Sequence, residues 1–117
     1  MMMRHVLAVA GAAAALASCA LFPSDAQRGR QVADTWCMEC HRVAPDQPSG
    51  ARPGHTLPPP VNAPSFMDIA ARPATSAGSL DHFLGDLHLP MPTYRLSEQE
   101  RREVIAYILS LKPRGGS

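Results

Sequence analysis

Cys37-Met38-Glu39-Cys40-His41 constrains this chain more than any other stretch of it. Two cysteines three residues apart, followed at once by a histidine, form the attachment pattern of a c-type haem. On a helical turn the i, i+3 spacing brings both sulfurs to one side, as two thioether bonds to one porphyrin edge require. The next residue, His41, then projects its imidazole toward the iron. On this reading one covalently bound haem c supplies the redox chemistry, and the polypeptide holds and tunes it.

Two other chemistries use Cys-x-x-Cys. Trp36 before the motif gives it the look of a thiol–disulfide exchange site, which needs a buried strand just ahead of it. The residues that do precede it, Ala26 to Thr35, are polar and helical in character. Zinc takes four cysteine or histidine ligands, and after the motif only His55, His82 and His88 remain, with no second cysteine pair. Both readings rank below haem.

The 117 residues hold one domain. Residues 1–18 read as a secretory signal: Arg4 and His5 lead into an apolar run from Val6 to Leu16 that is short for a membrane span. Leu16-Ala17-Ser18-Cys19 resembles a bacterial lipobox, so Cys19 is expected to become the lipidated first residue of a lipoprotein. Cleavage after Ala20 or Ala26, or an uncleaved anchor running through Phe22, are the alternatives. All three place the domain outside the cytoplasmic membrane, in the bacterial periplasm, where such haems are attached. Residues 19–23 then form a tether, 24–113 the domain and 114–117 a flexible tail.

Once Arg4 leaves with the signal, the remaining basic side chains balance the 10 acidic ones. Lys112 is the sole lysine, and no basic patch argues for nucleic acid. Docking of redox partner proteins is expected to rely on an apolar haem edge with scattered arginines. With one Trp, two Tyr and three Phe, the chain has few large side chains for its core. A domain this small is marginal without a staple, and a covalent haem offers an apolar disc for helices to pack on.

The pattern predicts an all-α domain of three to four helices. Ser24-Asp-Ala-Gln27 has the spacing of a capping box, opening a helix from Asp25 to about Trp36. Gly29 inside it is either a close-packing point or a tolerated surface glycine. Pro45 to Pro64 holds seven prolines and reads as an extended loop around one haem edge, with His55 solvated. Ser65 caps a short helix that ends before Pro73. Leu80, Phe83, Leu84 and Leu87 give an amphipathic face, with His82 opposite and exposed. Ser97-Glu-Gln-Glu100 is a second capping box. It opens a helix with the stripe Val104, Ile105, Ile108 and Leu111, bordered by Tyr107 and stopped by Pro113 and Gly115-Gly116.

A haem bound by His41 has one open axial position. Met38 lies between the anchoring cysteines and cannot reach the opposite face, and Met67 is expected to pack near the haem. Met91, held in an extended loop by Pro90 and Pro92, is the favoured sixth ligand, with His88 the alternative. A soft thioether favours ferrous iron and raises the potential relative to a second histidine.

With these motifs in this order, the chain resembles a class I c-type cytochrome from about Ser24 to Lys112. The resemblance implies that Gly29, eight residues before Cys37, packs the N-terminal helix against the C-terminal one. It implies that the carbonyl of Pro64, in Ala63-Pro64-Ser65-Phe66, accepts the Nδ1–H of His41. Leu89-Pro90-Met91-Pro92 is similar to the bacterial distal-methionine loop, and Val104-Ile-Ala-Tyr107 to the C-terminal helix. Three departures stand out. Ala33 replaces a large aromatic at the helix crossing, so the crossing is expected to be looser or filled by Trp36. The loop before Pro64 is longer and richer in proline than in compact members. Lysines are nearly absent, which sets aside the docking mode of the mitochondrial protein.

The expected function is one-electron transfer by a monohaem protein with His41 and Met91 on the iron, acting alone or as a subunit of a redox complex. It is not expected to be an enzyme by itself. The alternatives are a haem enzyme or gas sensor with an open sixth position, and an electron-transfer subunit of a larger dehydrogenase or oxidase.

Overall fold

The computed structural model describes residues 22–47, 63–86, 91 and 96–115. The signal segment with Cys19, most of the proline-rich loop with His55, and Leu87, His88, Pro90 and Pro92 lie outside them. Four α-helices occur among the described residues, with no strand: α1 Asp25–Val32, α2 Phe66–Ala71, α3 Ala77–Gly85 and α4 Glu98–Ser110.

Each helix starts where a serine satisfies an orphan amide of the first turn. Ser24 and Gln27 close a capping box on α1, and Ser97 and Glu100 close one on α4. Ser65 accepts from the amide of Asp68 at 3.0 Å. A third box, Ser76 with Ser79, opens α3. The apolar spacing of α3 gave no sign of that start, because Ala77-Gly78-Ser79 carries no large side chain. Within α3, Leu80 and Leu84 point inward while Phe83 stays 44% exposed. The two leucines lie about 40° apart around the helix and Phe83 some 60° off the other side, which puts the phenylalanine at the edge of the face rather than on it.

Helix α4 is the hub on which α1, α2 and α3 all rest. Its buried apolar side chains are Val104, Ile105, Tyr107 and Ile108, and Leu111 at its C-cap is half-buried. Tyr107 is more central than its place beside the stripe suggests: it is 6% exposed, and its hydroxyl is satisfied by the carbonyl of Val43 at 2.6 Å. Lys112 at the helix end donates to the carbonyl of Thr75 at 2.6 Å, and Arg101 pairs with Asp81 of α3 at 2.7 Å.

At the crossing of α1 and α4, Gly29 faces the backbone of Glu103. A Cβ at position 29 would lie 1.8 Å from the Glu103 carbonyl oxygen, so only glycine lets the two helices approach this closely. The Glu103 carboxylate is buried beside this contact and accepts from Arg28 Nε at 2.6 Å and from Gln99 Nε2 at 3.0 Å. Those donors, Gln99 first and then Arg28, hold its pKa below the ordinary carboxylate value. The folded state therefore binds this proton less readily than the unfolded chain, and the stabilisation is present above the unfolded pKa and lost as pH falls through the folded one. Accordingly, the gap in urea midpoint between the native chain and Glu103→Gln should be widest at neutral pH and shrink in strong acid. A gap that grows on acidification would contradict the assignment.

The first helix departs from expectation after Val32. The chain widens into a π turn, Ala33–Cys37, instead of running on as α-helix to Trp36. Ala33 is fully buried at the crossing, but Trp36 is 42% exposed. Trp36 lies at the rim of the crossing, along a crevice it shares with Val32 of α1 and with Gln99, Glu100 and Glu103 at the start of α4. Trp36→Ala should therefore lower the unfolding free energy by about 1 kcal/mol in urea titration, short of the roughly 3–5 kcal/mol that a core tryptophan costs.

Candidate haem-attachment site

The π turn delivers the chain into Cys37, and a tight turn follows. The amides of Cys40 and His41 both donate to the carbonyl of Cys37, at 3.2 and 2.9 Å. Both cysteines are free thiols and half-buried, and Cys37 and Met38 pack against the core cluster. Burial, then the negative charge of Asp34 and the neighbouring Cys40, push the Cys37 thiol up to about 11. A thiol that stays protonated at neutral pH is poorly suited to disulfide exchange, where the thiolate attacks. Thioether formation instead consumes the S–H group and leaves an apolar sulfur in this apolar setting. Among the described residues no three His, Cys, Asp or Glu side chains converge as a metal cage.

His41 is held on two sides. Its Nδ1 lies 2.7 Å from the carbonyl oxygen of Pro64. A carbonyl only accepts, so Nδ1 carries the proton and Nε2 keeps its lone pair. The ring of Phe66 stands 5.5 Å from the imidazole, centroid to centroid, and Tyr107 lies 6.3 Å beyond Phe66. One residue further on, the amide of Phe66 donates to the carbonyl of Arg42 at 2.9 Å. The 63–66 segment is thus fastened to the residues after the motif at two successive points, with proline limiting its backbone freedom.

Arg42 and Gln47 complete the support. The Arg42 guanidinium donates to the carbonyls of Gln47 at 2.9 Å and Pro45 at 2.7 Å. The Gln47 side chain accepts from the amide of Val43 at 2.8 Å. Val43 in turn passes its carbonyl to Tyr107 on α4, so the motif is tied to the helical hub. The sequence reading did not single out Arg42 or Gln47. A polar residue four positions after Val43 was the only available signal, and that spacing is common in loops.

The other candidates are placed as follows. Met67 is half-buried and packs on the core cluster. Met91 is half-buried in a bend between α3 and α4; the prolines flanking it are not described. His82 projects into solvent with its side chain 85% exposed, 3.6 Å from Asp86. The residues present fit a covalently held haem: two thiols in one turn, and an imidazole whose Nδ1–H is taken up by Pro64 O, so that Nε2 carries the lone pair.

Comparison with known proteins agrees with this chemistry. Residues 26–112 match the sequence pattern of the cytochrome c family. A cytochrome c-552 of Bradyrhizobium diazoefficiens is 37% identical over 101 residues, covering 86% of this chain and 88% of that protein. No solved structure matches the chain significantly.

Proposed function

The chain belongs to the cytochrome c family, and from that premise we propose that His41 and Met91 are the axial ligands of its haem on the periplasmic side of a bacterial membrane. As in the family, the haem c is covalent, and the protein is a haem-based electron carrier that works with redox partner proteins. When bound, the haem supplies a one-electron ferric/ferrous couple.

One observation carries the ligand reading: the 2.7 Å contact between His41 Nδ1 and Pro64 O. It fixes the tautomer and orientation of the imidazole, the part usually played by a hydrogen-bonded partner of a metal-binding histidine. Cys37 and Cys40 provide the thioether sulfurs. Phe66 and the turn secured by Arg42 and Gln47 keep the ring from swinging, which limits rearrangement when the iron changes charge. Met91 closes the opposite face with a soft sulfur and leaves no position for substrate, so the protein is not an enzyme by itself.

Residues 24–113 are the working domain. The segment 1–18 acts as the export signal, Cys19 as a lipid anchor, 19–23 as the tether and 114–117 as a loose tail. Among the described residues no helix is long and apolar enough to cross a membrane. The mass of the mature N-terminal peptide tests the fate of Cys19.

Redox titration of the purified protein tests the carrier reading. A single reversible one-electron transition, with the protein purifying alone, is expected. Turnover of peroxide or reduction of bound nitric oxide would point instead to a haem enzyme, and obligate co-purification to a subunit of a larger complex.

A further inference from the structure

We propose that the π turn Ala33–Cys37 is a register adapter, which turns Cys37 toward the core side and moves Trp36 from the centre of the α1–α4 crossing to its rim. The idea rests on Cys37 and Cys40 being the attachment thiols. It follows from a conflict of direction between two fixed features of one continuous helical segment. The face that meets α4 is set by Gly29, Val32 and Ala33, all buried. In a straight α-helix, advancing about 100° per residue, Trp36 would return to within about 20° of Gly29. Cys37 would then point about 80° to one side of it. An aromatic would sit in the crossing, and the first attachment thiol would lie off the core-facing stripe.

The observed backbone is different over one turn only. The amide of Met38 donates to the carbonyl of Ala33, five residues back, at 3.0 Å. By His41 the four-residue pattern has returned, with its amide on Cys37 O at 2.9 Å. An i→i+5 turn holds one residue more than an α turn, so every later residue points where its predecessor would have pointed, a lag of about 100°. Cys37 thereby takes the direction that Trp36 would have had. The burial agrees with this: Cys37 packs on the core cluster, and Trp36 is 42% exposed. The widened turn is supported from outside by the Thr35 hydroxyl, which donates to Gln31 O at 2.8 Å, and by Arg30 paired with Asp34 at 3.0 Å.

If direction is what the turn provides, removing one residue from it should be tolerated. Deleting Thr35 lets an ordinary α-helix deliver Cys37 in the same direction from Gly29. Inserting one alanine after Thr35 turns both thiols a further step away. The full chain and both variants would be produced in a host that attaches haem to exported cysteine pairs. Thioether bonds would be counted from the mass of the haem peptide and from the ferrous pyridine–haem band, which shifts when a vinyl group remains.

The native haem peptide should contain both Cys37 and Cys40; if it does not, the attachment reading itself fails, whatever the variants do. The deletion should keep doubly linked haem within about twofold of the native yield, and the insertion should lose at least about tenfold, since reacting groups must be held at near-attack positions. Equal yields from the two variants, high or low, or a poorer yield from the deletion, would overturn the register role.

Discussion

Gly29→Ala is expected to be the most destabilising single-methyl change in this protein. In an isolated helix the same change is favourable by about 1 kcal/mol. Here the new Cβ would lie 1.8 Å from the carbonyl oxygen of Glu103, 2.4 Å from its carbon and 2.8 Å from Tyr107 Cβ. Two of those atoms are helix backbone and cannot step aside, so α1 and α4 must separate. Overpacking usually costs about 1–3 kcal/mol, and a backbone clash belongs at or above the top of that range. Separation would also loosen the Arg28–Glu103 pair and the Tyr107 hydroxyl that holds Val43 O. A urea midpoint equal to or above that of the native chain would show that the helices do not meet at Gly29.

Met91→Ala should have the largest effect on redox behaviour while leaving the helical core intact. Met91 is half-buried in the connection between α3 and α4, and its side chain is absent from the core cluster. On the proposed ligation its loss takes from the iron a soft sulfur that favours the ferrous state, so the potential should fall. A drop of more than about 0.1 V is expected, a modest part of the roughly 0.8 V over which axial ligands set haem potentials. His88→Ala should leave the potential near its native value. A potential that does not move in Met91→Ala, or that moves in His88→Ala, would assign the sixth position to another residue.

The features legible from sequence were local ones. Serine caps with a partner three residues on, the stripe of α4 and the Cys-x-x-Cys-His spacing each depend on neighbours within one or two turns. The pairing of His41 with Pro64 spans 23 residues, and it came from the family resemblance rather than from any periodicity. The role of Gly29 was open between packing and tolerance on the residues alone, because a missing side chain does not say what approaches it.

The π turn was not legible, and neither was the place of Trp36 at the rim of the crossing, beside the start of α4. A helical wheel assumes constant advance per residue, and one widened turn moves every later side chain by about one position. The choice between α and π is made by burial of Ala33 and Cys37 against the rest of the molecule. Arg42 and Gln47 were missed for a related reason. Their hydrogen bonds go to carbonyls and amides of a turn whose path is fixed only when Phe66 and Tyr107 are in place.

The absorption spectrum of the ferric protein, recorded before and after adding cyanide, tests the closed His41/Met91 site most directly. A low-spin spectrum with the weak far-red band of sulfur-to-iron charge transfer, slow to yield to cyanide and lost in Met91→Ala, is predicted. A high-spin spectrum in the native protein, with cyanide binding at once, would contradict it.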